Sequence, residues 1–106
     1  MLFASKISAK SNFSGTGQTF TIENGEPIRV KGFILSNKNN TTTNTVSITM
    51  KNGTNNIGFF KILGQSAKNF QIPFLADAGL SFLTTTQVGS AANDLSITVF
   101  HSSSGA

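Results

Sequence analysis

The sequence predicts an all-β fold: one two-sheet antiparallel β-sandwich, jelly-roll or immunoglobulin-like, of about seven or eight strands. Three observations predict it. Apolar and polar residues alternate without a fault in Thr45-Val46-Ser47-Ile48-Thr49-Met50-Lys51 and again in Leu95-Ser96-Ile97-Thr98-Val99-Phe100, the mark of strands with one face on a core. Such runs recur at roughly even spacing, with turn signals between them. The one helix-compatible stretch, Phe74-Leu75-Ala76-Asp77-Ala78, is too short to be more than a turn.

In chain order, residues 2–7 offer a first strand, followed by a Ser/Gly/Asn loop over 11–17. Thr19-Phe20-Thr21-Ile22-Glu23 alternates cleanly and ends at Asn24-Gly25, a pair suited to the positive φ of tight hairpin turns. The run Ile28-Arg29-Val30-Lys31 alternates and then turns apolar on both faces through Phe33-Ile34-Leu35. A long polar loop over 36–44 leads to the strand at 45–51, and Asn52-Gly53 closes it. Residues 57–63 form the next strand, with Phe59 and Phe60 on opposite faces. Phe70-Gln71-Ile72-Pro73-Phe74 points three large groups one way, and Pro73 has no N–H to give a ladder, which assigns this strand to an edge or a bulge. Strands at 80–86 and 95–100 complete the set, separated by the Gly/Ser/Ala/Asn loop 89–94.

Size and composition fit one domain over 1–106. A chain of 106 residues holds a single core without staples. Its ten phenylalanines each contribute roughly 2–3 kcal/mol when fully buried. Phe20, Phe59, Phe70, Phe74, Phe82 and Phe100 are the expected inward set. Phe13 in its loop and Phe3 near the start are expected either to cover an open end or to anchor a partner. There is no Cys, so neither a disulfide framework nor a thiolate metal site is available. The first ten residues have no apolar h-region, so no signal peptide is expected, and no apolar run approaches the roughly 20 residues of a membrane span.

The charge balance is +4, from eight bases scattered singly along the chain and four acids. Nucleic-acid binders cluster their bases or interleave them with exposed aromatics, so neither nucleic acid nor membrane is an expected partner. A mild positive field suits attraction to an acidic protein surface.

The chain is poor in chemistry. His101 is its single histidine, and its acids are Glu23, Glu26, Asp77 and Asp94. Triads and metal sites need several convergent groups, so no catalytic residue, cofactor or metal is expected. His101 reads as a surface residue just past the last strand. Asp77 and Asp94 read as turn residues closing local hydrogen bonds. Glu23 and Glu26 are too few for a calcium loop. Residues 1–13 have the makings of an N-terminal arm, with Leu2, Phe3, Ile7 and Phe13 as apolar contacts and Lys6 and Lys10 as charges. As an arm, it would be removable without unfolding the sandwich.

Ile72-Pro73-Phe74-Leu75-Ala76-Asp77-Ala78-Gly79-Leu80 followed by Leu95-Ser96-Ile97-Thr98-Val99-Phe100-His101 resembles the carboxyl half of small virion structural proteins from marine, cyanophage-like tailed bacteriophages. The resemblance spans about residues 28–101 and is one of texture, a Ser/Thr/Asn-rich sandwich, rather than of a fixed signature. It implies a capsid decoration, or cement, protein made in the host bacterial cytoplasm and bound to the capsid exterior. The implied partners are the major capsid protein and neighbouring copies of the chain, as dimer or trimer. The alternatives are a tail-fibre or connector component and a receptor- or carbohydrate-binding module presenting polar loops.

Overall fold

A computed structural model describes residues 5–13, 17–22, 27–88 and 94–103. Nine strands run through them: β1 (Ser5–Phe13), β2 (Thr19–Ile22), β3 (Ile28–Asn37), β4 (Thr45–Asn52), β5 (Asn55–Leu63), β6 (Ser66–Phe70), β7 (Phe74–Ala76), β8 (Leu80–Val88) and β9 (Leu95–Ser103). They form two antiparallel sheets. One has the order β1-β9-β3-β6, with β7 also on β3, and the other has the order β2-β8-β4-β5.

Both β6 and β7 pair with β3, β6 along residues 33–37 and β7 along 28–30. They are therefore two halves of one edge strand, broken at Gln71-Ile72-Pro73. Counted so, each sheet has four positions, and successive strands cross between sheets except at the β4–β5 hairpin and the β6–β7 break. This connectivity is a jelly roll, the first of the two sandwich topologies expected from the sequence. Pro73 sits at the break, where no ladder N–H is needed. Opposite the break, β3 carries a bulge between Val30 and Gly32. A Cβ on Gly32 would lie 2.7 Å from the Phe70 carbonyl oxygen, so only glycine lets the edge strand approach there.

The core is the facing pair of inner surfaces. Ile28, Val30, Phe33 and Leu35 of β3 and Leu95, Ile97 and Val99 of β9 meet Val46, Ile48, Ile62, Leu80 and Phe82 of the other sheet. Phe33 is its aromatic hub, stacked on Phe70 at 4.8 Å and edge-on to Phe60 at 5.6 Å.

Three sequence expectations are corrected. Phe59 faces outward and is 73% exposed, because the bulge between Met50 and Lys51 makes Ile57 the extra residue and puts Gly58, Phe60 and Ile62 on the inner face. Phe100 is half-buried on the outer face of its sheet, one step out of phase with Val99, over the bare backbone of Gly32. His101 is not a surface residue: β9 runs on to Ser103, the alternation carries the imidazole inward, and it is 1% exposed.

Residues 5–13 of the segment read as an arm form β1, an edge strand paired with β9 from Ser5↔Ser102 to Phe13↔Leu95. Leu2 and Phe3, and the acids Glu23 and Glu26 with the Asn24-Gly25 turn, lie outside the described residues. Among the described residues no helix is long and apolar enough to cross a membrane.

Candidate functional site

The residues singled out on the first strand do not converge. Ile7 lies opposite Phe100, Lys6 opposite His101 and Lys10 opposite Ile97. Alternation therefore puts Ile7 on the outer face and the two lysines on the other. Ile7 is exposed, and the three are strung along an edge rather than gathered at a pocket.

The structure gathers apolar groups on the opposite side of the sandwich, where the edges of β5 and β6–β7 face each other across the seam between the sheets. There a trough of about 410 Å³ is lined by Phe33, Met50, Ile57, Phe60, Phe70 and Phe74, with Ile72, Leu75 and Asn52 at its margins. The sequence pattern that aligned Phe70, Ile72 and Phe74 holds here: all three border the trough, although the chain between them is a strand break. Ile72 is 63% and Leu75 52% exposed, so the trough opens to solvent. Around the corner, Phe59 and Leu63 stand exposed on the outer face of β5. Scattered exposed leucines are ordinary in soluble proteins; here five large apolar side chains, Ile57, Phe59, Leu63, Ile72 and Leu75, stand exposed on β5 and on the β6–β7 edge that faces it.

One end of the trough is held by two turns. Asn52 Nδ2 donates to Asp77 Oδ1 at 2.9 Å, and Asn52 Oδ1 accepts from the Ala78 N–H at 2.9 Å. The Gly53 N–H donates to the Gly79 carbonyl at 2.9 Å. Gly53 has φ +61°, as its Asn-Gly sequence predicts, and a Cβ there would strike that of Ala78. Asp77 is thus a turn residue whose carboxylate is already engaged.

The long polar loop that favoured sugar binding is engaged as well. Asn37 Nδ2 donates to the carbonyls of Asn44 and Ile62. Asn39 Nδ2 donates to Asp94 Oδ2 at 2.7 Å, while Asn39 Oδ1 accepts from the Thr41 N–H at 2.9 Å and from Asn44 Nδ2 at 3.0 Å. Gln65 Nε2 donates to the Asn40 carbonyl at 2.6 Å. These amides tie loops to one another and so have less capacity left for a ligand. His101 is part of the frame too: its Nε2 lies 2.8 Å from Ser8 Oγ, a hydrogen bond between β9 and β1. Among the described residues no three His, Asp or Glu side chains are grouped to hold a metal ion.

No protein-family model matches the chain, and no curated protein matches it. Among solved structures, it is similar to one described as Bacillus endospore appendages that form a family of disulfide-linked pili. The identity is 13%, the TM-score 0.52, and the match covers 96% of this chain and 89% of that one. A second similarity is to the structure of the infectious bursal disease virus Gx strain, with 10% identity, a TM-score of 0.34, and coverage of 96% of this chain and 33% of that one. The first likeness concerns the fold alone, and the second is too slight to extend it.

Proposed function

We propose that this chain is a structural protein that works by covering another protein surface, and that its setting is the exterior of a capsid, as a decoration protein on the major capsid protein and neighbouring copies of itself. One observation carries the contact role: an apolar trough that opens to solvent at Ile57, Ile72 and Leu75, with Phe59 and Leu63 also exposed on the outer face of β5. Covering Ile57, Phe59, Leu63, Ile72 and Leu75 supplies up to roughly 1.5–3 kcal/mol for each side chain fully buried. A decoration protein acts by mass action, favouring the assembled shell because it binds that state best.

Jelly rolls occur in capsid and in lectin domains, so the topology supports the capsid setting without selecting it. The appendage structure is described as a disulfide-linked pilus. This chain has no Cys, so disulfide linkage of that kind is not open to it. The test is quantitative mass spectrometry of purified particles that carry the chain. A copy number comparable to that of the major capsid protein is expected. A handful of copies, as at a unique tail axis, or absence from particles would overturn the capsid setting.

A further inference from the structure

The trough between β5 and the β6–β7 edge has a margin whose chemistry narrows its occupant. Its walls are aromatic and aliphatic, but the residues beside them are cationic. Lys68 lies on β6 two positions before Phe70 and so on the same face of that strand. Lys61 follows Phe60 on β5 and borders the exposed Phe59. The two acidic side chains among the described residues do not answer these cations: Asp77 accepts from Asn52, and Asp94 from Asn39 at the loop network.

The backbone adds a second constraint. Within the sheet β5 pairs with β4 on one side, and no described strand pairs with it on the other. Such an edge receives an extended segment as an added strand. Side chains of an added strand alternate between faces. One set would enter the trough beside Phe60, and the other would lie over the outer face beside Phe59, Lys61 and Leu63.

We infer that the trough is the docking site for an extended segment of a partner protein in which apolar residues alternate with carboxylates. This rests on the contact role proposed above and names the surface and the partner chemistry that serve it. A second copy of the chain is the poorer occupant, since it brings the same +4 charge and the same lysines to a margin that is already cationic. The apolar set fills the trough over Phe33 and Phe70, and the carboxylates, on the outer face, meet Lys61.

The probe is a short fluorescein-labelled peptide in which Leu and Phe alternate with Glu, titrated with the intact chain and followed by anisotropy. Saturable binding is expected, weakened about tenfold by Ile72→Glu, which replaces an apolar anchor with a charge, and weakened by Lys61→Glu and by raised salt. Ile7→Glu, on the far edge, leaves it unchanged. Ile72 and Leu75 are exposed, so their variants keep the thermal melt of the parent, and Leu75→Ser repeats the test if Ile72→Glu does not fold. Amide shifts on binding are confined to β5, β6 and β7.

Equal binding of a peptide with Ser in place of Leu and Phe overturns the inference, as does an Ile7→Glu effect as large as that of Ile72→Glu. Dimerisation through Ile72 with no peptide bound also overturns it, in favour of self-association. Particle binding that survives Ile72→Glu removes the trough and leaves the covering role intact. Peptide binding by a chain absent from particles supports the trough and removes the capsid setting instead.

Discussion

At the scale of single residues, asparagine does the work that disulfides do in many small β domains. Asn39 is nearly buried and uses both ends of its amide, donating to Asp94 and accepting from Thr41 and Asn44. Asn39→Asp keeps the shape but removes the donor and sets a carboxylate against Asp94. A buried polar group left without its partner costs about 1–3 kcal/mol, more for a charged one. Asn39→Asp is therefore expected to lower the unfolding free energy by about 2–3 kcal/mol at neutral pH, with Asn39→Ala falling short of that. Urea denaturation followed by circular dichroism measures both, and an unchanged midpoint for Asn39→Asp would remove the network from the stability of the fold. Gly64 belongs to the same corner. A Cβ there would collide with the Thr41 carbonyl, a backbone atom that cannot step aside. Gly64→Ala is expected to destabilise by about 2 kcal/mol or more, read in the same experiment, and an unaltered midpoint would show that the β5–β6 turn stands clear of the loop.

At the scale of elements, the strands were legible because period two is enforced wherever one face is buried. The runs beginning at 19, 28, 45, 80 and 95 are all strands, and the Asn52-Gly53 turn sits where its sequence puts it. What was not legible are the places where backbone geometry resets the phase. The bulge that makes Ile57 an extra residue turns Phe59 outward, and its one local signal is Gly58 inside the run. The break at Gln71-Ile72-Pro73 splits one predicted strand into β6 and β7. Its proline was a visible signal, but the β6 pairing of residues 66–70 was not, because Ser66-Ala67-Lys68-Asn69 has no alternation of its own. The trough was half legible, in the shared side of Phe70, Ile72 and Phe74. Its other wall, Ile57 and Phe60, comes from a strand of the opposite sheet. The segment 1–13 was legible as apolar and basic, but pairing with β9 depends on a partner about 90 residues away, which no local pattern encodes. Its removal would leave β9 as an edge and uncover Val99 and His101. With net ladder bonds worth about 1 kcal/mol each, the chain without residues 1–13 is expected to lose several kcal/mol of stability or to aggregate. An unchanged urea midpoint would mean that β1 is an appendage to the sheet after all.

At the scale of the whole molecule, shape and charge act together. The body measures 46 × 24 × 19 Å, a slab whose open side carries the apolar trough and whose net charge is +4. A field of that kind does little for the fold, but it raises the encounter rate with an acidic surface. The apolar side then supplies the binding once contact is made. The two contributions separate by salt. Exposed charges are screened over roughly 8 Å at physiological ionic strength and roughly 3 Å at 1 M, while burial of Ile72, Leu75 and Phe59 is not weakened by sodium chloride. Association with the partner surface is therefore expected to slow markedly between low and high salt with little change in dissociation rate. Lys61→Glu combined with Lys68→Glu should reproduce the slower association at low salt, and Ile72→Glu should speed dissociation instead. Surface plasmon resonance on immobilised particles distinguishes the two effects. If salt changed only the dissociation rate, or if the lysine variants left association untouched, the charge would have no steering role and the apolar side would have to account for recognition alone.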